Sequence, residues 1–292
     1  MSITKYANAV IEEPVLDRAH WAEIHGRRAS QGIQKFAAKV TDPSKFILTH
    51  CTIMASVACE DGHEDWLIKP ECSHLVNNND DAWENTVLAQ SYKTFQGSFN
   101  FVEHYQNSKA SKGYIVDSIL RKIKLTDDVW VYYCDILVAT DLKHTQLVTD
   151  IKSGKVKYLS MGCVTDLITC SYCGASNDGI GVACSHLANY KGRFLSDHDG
   201  VPRRVAELCG HKSLPGGGVR FVEASWVATP AFPGASNRSV VSHDWEAPDM
   251  SRTASGIIIP NGMAKAASAK PRLSDSTDGQ GHIAQVEIRR LR

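Results

Sequence analysis

Val129–Thr140 reads VWVYYCDILVAT, a run of twelve residues broken by a single charge, Asp135. Aromatic and β-branched residues dominate it, and the near-continuous apolar character predicts a strand buried on both faces at the centre of a sheet. The neighbouring segments read the same way. Upstream, Ile115–Leu125 (IVDSILRKIKL) and residues 46–59 (FILTHCTIMASVAC) are strand-like. Downstream, Asp141–Lys155 (DLKHTQLVTDIKSGK) predicts a short amphipathic helix closed by Gly154. Residues 156–168 (VKYLSMGCVTDLI) and 216–232 (GGGVRFVEASWVATPAF) predict two more strands, the last ending at Pro230.

The remaining stretches set the ends. Residues 95–113 (FQGSFNFVEHYQNSKASKG) read as a strand running into a polar loop, and the NNNDD of residues 77–81 reads as a turn whose side chains cap a following helix. Residues 16–40 read as helix. Beyond residue 236, Ser, Ala, Gly and Pro dominate and periodicity fades, which predicts a flexible tail. The expected organisation is an N-terminal segment (1–40), a main domain (41–235) of α+β, mainly β class, and a tail (236–292).

Charge and length exclude several functions. Lys plus Arg number 32 and Asp plus Glu number 32, so the formal net charge is zero, and direct nucleic-acid binding is not expected. No apolar run approaches the ~20 residues of a membrane span, and the first residues do not read as a secretory signal. Nine cysteines, an odd number, argue against a complete disulfide framework.

Five of those cysteines crowd residues 163–209, and the Cys170–Ser213 stretch, rich in Gly, Cys and His, reads as irregular. Cys170 and Cys173 form a C-x2-C pair followed by Gly174, a spacing that lets two thiolates grip one ion from a tight turn. Cys184 supplies a third donor, and the fourth is His186 or Cys209. The expectation is a structural zinc knuckle inserted at residues 168–212, with no open coordination position for chemistry.

Ser160 stands in KYLSMGC and is the candidate nucleophile, because Gly162 lets backbone approach a substrate closely. On this reading Ser160 sits at a strand end, and the N–H groups of Met161 and Gly162 form the oxyanion site. His104, at the end of the FVEH strand, is the proposed base, with His50, His74 and His144 as competitors. Cys163 reads as a packing residue, with a nucleophilic role as the lesser alternative.

Taken in order, NNNDDAW (77–83), TFQG (94–97), FVEH (101–104), SKASKGYIVDS (108–118), IKSGKVKYLSMGC (151–163), CSYCG (170–174), ACSHL (183–187) and RFVEASWVATPAF (220–232) resemble one family. It is the head maturation (prohead) serine proteases of tailed bacteriophages, and the resemblance spans residues 45–235. It implies an assemblin-like β-barrel core with flanking helices, as in herpesvirus assemblins. It implies Ser160 as nucleophile and His104 as base, with no metal in the chemistry. It places Glu223 at the family's acidic position, ahead of Asp117 and Asp135. The implied substrates are phage scaffold and major capsid proteins, and the chain itself, inside the immature head in the host cytoplasm. Glu287 is a conceivable self-processing site, and a homodimer is possible. The rival reading is a catalytically inactive, zinc-containing virion structural or binding protein.

Overall fold

A computed structural model describes residues 3–7, 42, 44–178 and 181–241. The helix expected over 16–40 and the self-processing site at Glu287 lie outside these residues. Fourteen strands are described: β1 (Ile3–Ala7), β2 (Phe46–Ala55), β3 (Asp81–Ala82), β4 (Phe99–Val102), β5 (Gly113–Lys124), β6 (Trp130–Asp141), β7 (Tyr158–Thr165), β8 (Ile168–Cys170), β9 (Ser176–Asn177), β10 (Phe194–Ser196), β11 (Pro202–Arg204), β12 (Glu207–Cys209), β13 (Val219–Val227) and β14 (Asn237–Val241). Three short α-helices accompany them: α1 (Asn85–Ser91), α2 (Thr145–Lys152) and α3 (Ser185–Tyr190). The class is mixed α+β, mainly β.

The main sheet has eight strands in the order β1-β7-β13-β4-β5-β6-β2-β14. The VWVYYCDILVAT run lies in it as β6, flanked by β5 and β2 over nearly its whole length. Among the described residues the ladder does not close into a barrel. The sheet curls far enough, however, for Ser236 to bridge Tyr158 of β7 while its carbonyl accepts from the Thr52 amide of β2. Strand β14 falls beyond residue 236, in the stretch expected to be tail, and pairs antiparallel with β2. Ile3–Ala7 pairs with β7 in the same sheet.

One face of the sheet carries the core. Cys51, Ile53, Ile136, Val138, Leu159, Met161, Ala224 and Trp226 point into it and meet Trp83, Leu88 and Phe95 from α1 and its flanks. Phe95 stacks on Phe221 with ring centroids 4.2 Å apart. Removing one such aromatic side chain costs about 3–5 kcal/mol, because transfer energy and a residual cavity add.

The other face carries a buried charge. Asp135, the break in the apolar run, accepts from Thr52 Oγ1 at 2.7 Å and from Arg121 Nε at 2.8 Å, and lies 2.9 Å from His50 Nε2. Burial would raise its carboxyl pKa, but Arg121 and His50 outweigh that and hold it well below the usual carboxylate range. Arg238 of β14 lies 3.9 Å from the same carboxylate, so the charge also tethers that edge strand.

Two local expectations are corrected. The helix α1 is capped by Glu84, whose carboxylate accepts from the Thr86 and Val87 amides, and not by the NNNDD cluster. That cluster folds on itself, with Asn77 Oδ1 accepting from the Asn79 and Asp81 amides. It then receives the insertion: Asp80 pairs with Arg204 at 2.6 Å and Asp81 with Lys191 at 3.1 Å. The Cys170–Ser213 stretch, expected to be irregular, contains short strands and a helix. A four-stranded sheet, β3-β12-β8-β9, joins it to the main body.

Candidate active site and metal centre

Three adjacent strands of the main sheet, β7-β13-β4, bring the chemistry together. Ser160 lies on β7, Glu223 on β13, and His104 just past the end of β4. The register pairs Ser160 with Ser225 and Gly162 with Glu223. Residues directly opposite in a ladder share a face, so Ser160, Gly162, Glu223 and Ser225 lie on the face away from the core. A bulge makes this possible. Phe221 pairs with Cys163 on the core face, and the register shift between Phe221 and Glu223 turns Glu223 to the opposite face.

His104 reaches Glu223 through a strained turn. Glu103 and His104 both adopt positive φ, 48° and 55°, a conformation that costs a non-glycine residue roughly 1–3 kcal/mol. Local bonds hold it. The Glu103 amide donates to the Trp226 carbonyl at 2.9 Å, and Glu103 Oε1 accepts from the Ala228 amide at 2.7 Å. His104 Nδ1 then lies 2.8 Å from Glu223 Oε1. An ionised carboxylate only accepts, so Nδ1 carries the proton and Nε2 is left as the basic nitrogen. Glu223 is 1% exposed, and its second oxygen accepts from Ser225 Oγ at 2.6 Å.

One expectation at this site needs correction. Ser160 is the third residue of an eight-residue strand, not a strand end, and is 2% exposed. Met161 and Gly162 sit between β1 and β13, paired on both sides. In a sheet the backbone N–H groups lie in the plane of the ladder and point at neighbouring strands. The backbone that carries these two amides therefore lies within the ladder, between two neighbouring strands.

The competitors are placed elsewhere. His50 is taken up by Asp135. His74 lies in a 3-10 turn, where burial lowers its pKa. His144 precedes α2, with Nε2 3.3 Å from the Ser111 carbonyl. Asp117 accepts from Gln96 Nε2 at 2.6 Å. Cys163 packs in the core, on the face opposite Ser160. Sequence reading passed over Ser225 and Glu103; the alternation of Glu223 and Ser225 along one strand was the available signal.

The cysteine cluster assembles as Cys170, Cys173, Cys184 and His186, with all ligand atoms within 4.8 Å of one another. A tetrahedral zinc site with Zn–S bonds near 2.3 Å needs donors roughly 3.8 Å apart, so three thiols and an imidazole at this separation fit that ion. Burial pushes the Cys170 thiol up to about 12, and a bound cation would offset that cost. The short C-x-H spacing works because Cys184 is the N-cap of α3 and His186 lies in its first turn. Cys209 is not a ligand in this cluster. It lies on β12, 1% exposed, and borders a cleft of about 320 Å³ with Asp65, Trp66 and Lys212. Four buried residues, Ile168, Cys170, Leu187 and Val205, form the small core beneath the cluster.

No protein-family model, curated protein or solved structure matches the chain.

Proposed function

We propose that this protein is a serine endopeptidase of the phage head-maturation type, with an assemblin-like core and a structural zinc knuckle. The observation that carries the reading is the His104–Glu223 pair at 2.8 Å, with Glu223 on the same sheet face as Ser160 of the neighbouring strand. A histidine whose Nδ1–H is held by a buried carboxylate is a general base in the correct tautomer. In the proposed reaction His104 Nε2 takes the Ser160 proton as Oγ attacks the peptide carbonyl. The same imidazole then protonates the leaving amine, and water releases the acyl-enzyme. Zinc, when bound by Cys170, Cys173, Cys184 and His186, supplies structure and no step of the reaction. The substrates are the scaffold and major capsid proteins of the immature head.

A second reading has its own support. Burial of Ser160 and the pairing of Met161 and Gly162 with strands on both sides favour a catalytically inactive, zinc-containing virion protein. Intact mass over time separates the two, using wild type and Ser160→Ala, each alone and with the scaffold protein of the same phage. Fragments in wild type that are absent from Ser160→Ala establish the peptidase. Two intact, folded, zinc-bound chains establish the inactive form.

A further inference from the structure

We propose that Ser225 is a positioning residue for the Glu223–His104 pair, an inference that rests on the peptidase reading for its effect on turnover. Glu223 has three rotatable side-chain bonds and two equivalent oxygens, so the bond to His104 does not by itself fix the carboxylate. Both oxygens are buried, and an unsatisfied oxygen there would cost the desolvation of a charged acceptor. Ser225 Oγ–H donates to Oε2 at 2.6 Å, a short charge-assisted bond. That leaves Oε1 aimed at His104 Nδ1 at 2.8 Å.

Position makes Ser225 suited to this task. It lies two residues from Glu223 on the same face of β13 and directly across the ladder from Ser160. It is 0% exposed, so bulk water does not replace its hydroxyl. Backbone pairing on both sides, to β7 and β4, fixes its Cα and hence the direction of its donor. The result is a chain of contacts on one face of the sheet, from the buried Ser225 and Glu223 on the paired strand β13 to His104 in the turn after β4.

The test uses the full chain with its metal and compares wild type, Ser225→Ala and Ser225→Thr. The first readout is the downfield proton resonance of the His104 Nδ1–H, assigned by its loss in His104→Gln. It is expected in wild type and Ser225→Thr, and broadened or lost in Ser225→Ala. The second is turnover of scaffold protein: kcat falls about tenfold in Ser225→Ala with KM within twofold, and threonine restores most of it. Should Ser225→Ala not fold, Ser225→Cys keeps the volume with a weak donor and is expected to show the same loss. An unchanged resonance in folded Ser225→Ala or Ser225→Cys overturns the positioning role. Because the resonance needs no turnover, it decides Ser225 even where wild type proves inactive, an outcome that sinks the peptidase reading separately.

Discussion

The cysteine–histidine cluster gathers its four donors from seventeen consecutive residues, 170–186, whereas His104 and Glu223 stand 119 residues apart and meet because β4 and β13 are neighbours. The first region rests on strands of two or three residues and a four-residue core. The second rests on strands paired on both sides over the main core. A small region with little apolar area to bury needs another source of folding energy, and a metal held by these four donors would supply it. A site on a large sheet needs none, but depends on register, since a one-residue slip moves every side chain to the other face. The bulge before Glu223 is such a shift, and it turns one carboxylate to the face that bears Ser160.

The sharpest way to break this contrast is to remove the metal. Chelation, or Cys170→Ser, is expected to abolish amide protection across residues 168–209 and leave β5 and β6 protected. The energy at stake is about 10 kcal/mol, the lower end for structural zinc in small domains. Hydrogen exchange read by mass spectrometry decides it, and equal loss in both regions would mean that the insertion and the sheet unfold as one unit. Zinc content measured in the purified chain gives the occupancy directly.

The next effect falls on the sheet site. Glu223→Gln keeps the shape of the side chain but presents His104 with a group that can donate, which favours the wrong tautomer. Turnover is expected to drop roughly 10⁴-fold, with zinc content unchanged. Steady-state kinetics beside a metal assay would test both halves, and a drop below tenfold would remove Glu223 from the mechanism.

A smaller effect concerns the buried charge beneath β14. Asp135→Asn leaves Arg121 and Arg238 without their carboxylate and is expected to cost about 3–5 kcal/mol in urea unfolding. The pH dependence has a definite sign. The folded carboxyl is held below its unfolded value, so its contribution is complete above about pH 4 and is lost as pH falls through the folded value. Wild type should therefore lose its advantage over Asp135→Asn as pH falls below about 4, and the two should converge in acid. A gap that instead widened below pH 4 would show that the carboxylate is not the stabilising group.

Much of the fold was legible along the chain because strands announce themselves by local pattern. β2, β5, β6, β7 and β13 lie where apolar and β-branched runs place them, and Gly154 follows α2 with the positive φ of a helix stop. The misreadings share a cause. NNNDD carries strong capping chemistry, yet its partners are Arg204 and Lys191, more than a hundred residues away. Ser160, expected at a strand end, lies inside β7, because pairing with the distant strands β1 and β13 carries that strand on to Thr165.

The sequence by itself determined the strand segments, the mainly β class and three metal donors, because period and close spacing are properties of neighbours in the chain. Only the tertiary structure chose His186 over Cys209 as the fourth donor, turned Glu223 to the face of Ser160, and joined it to His104 and Ser225. Those outcomes depend on which strands pair and in what register. Pairing is decided by the burial of a shared core between distant segments, which no local pattern contains.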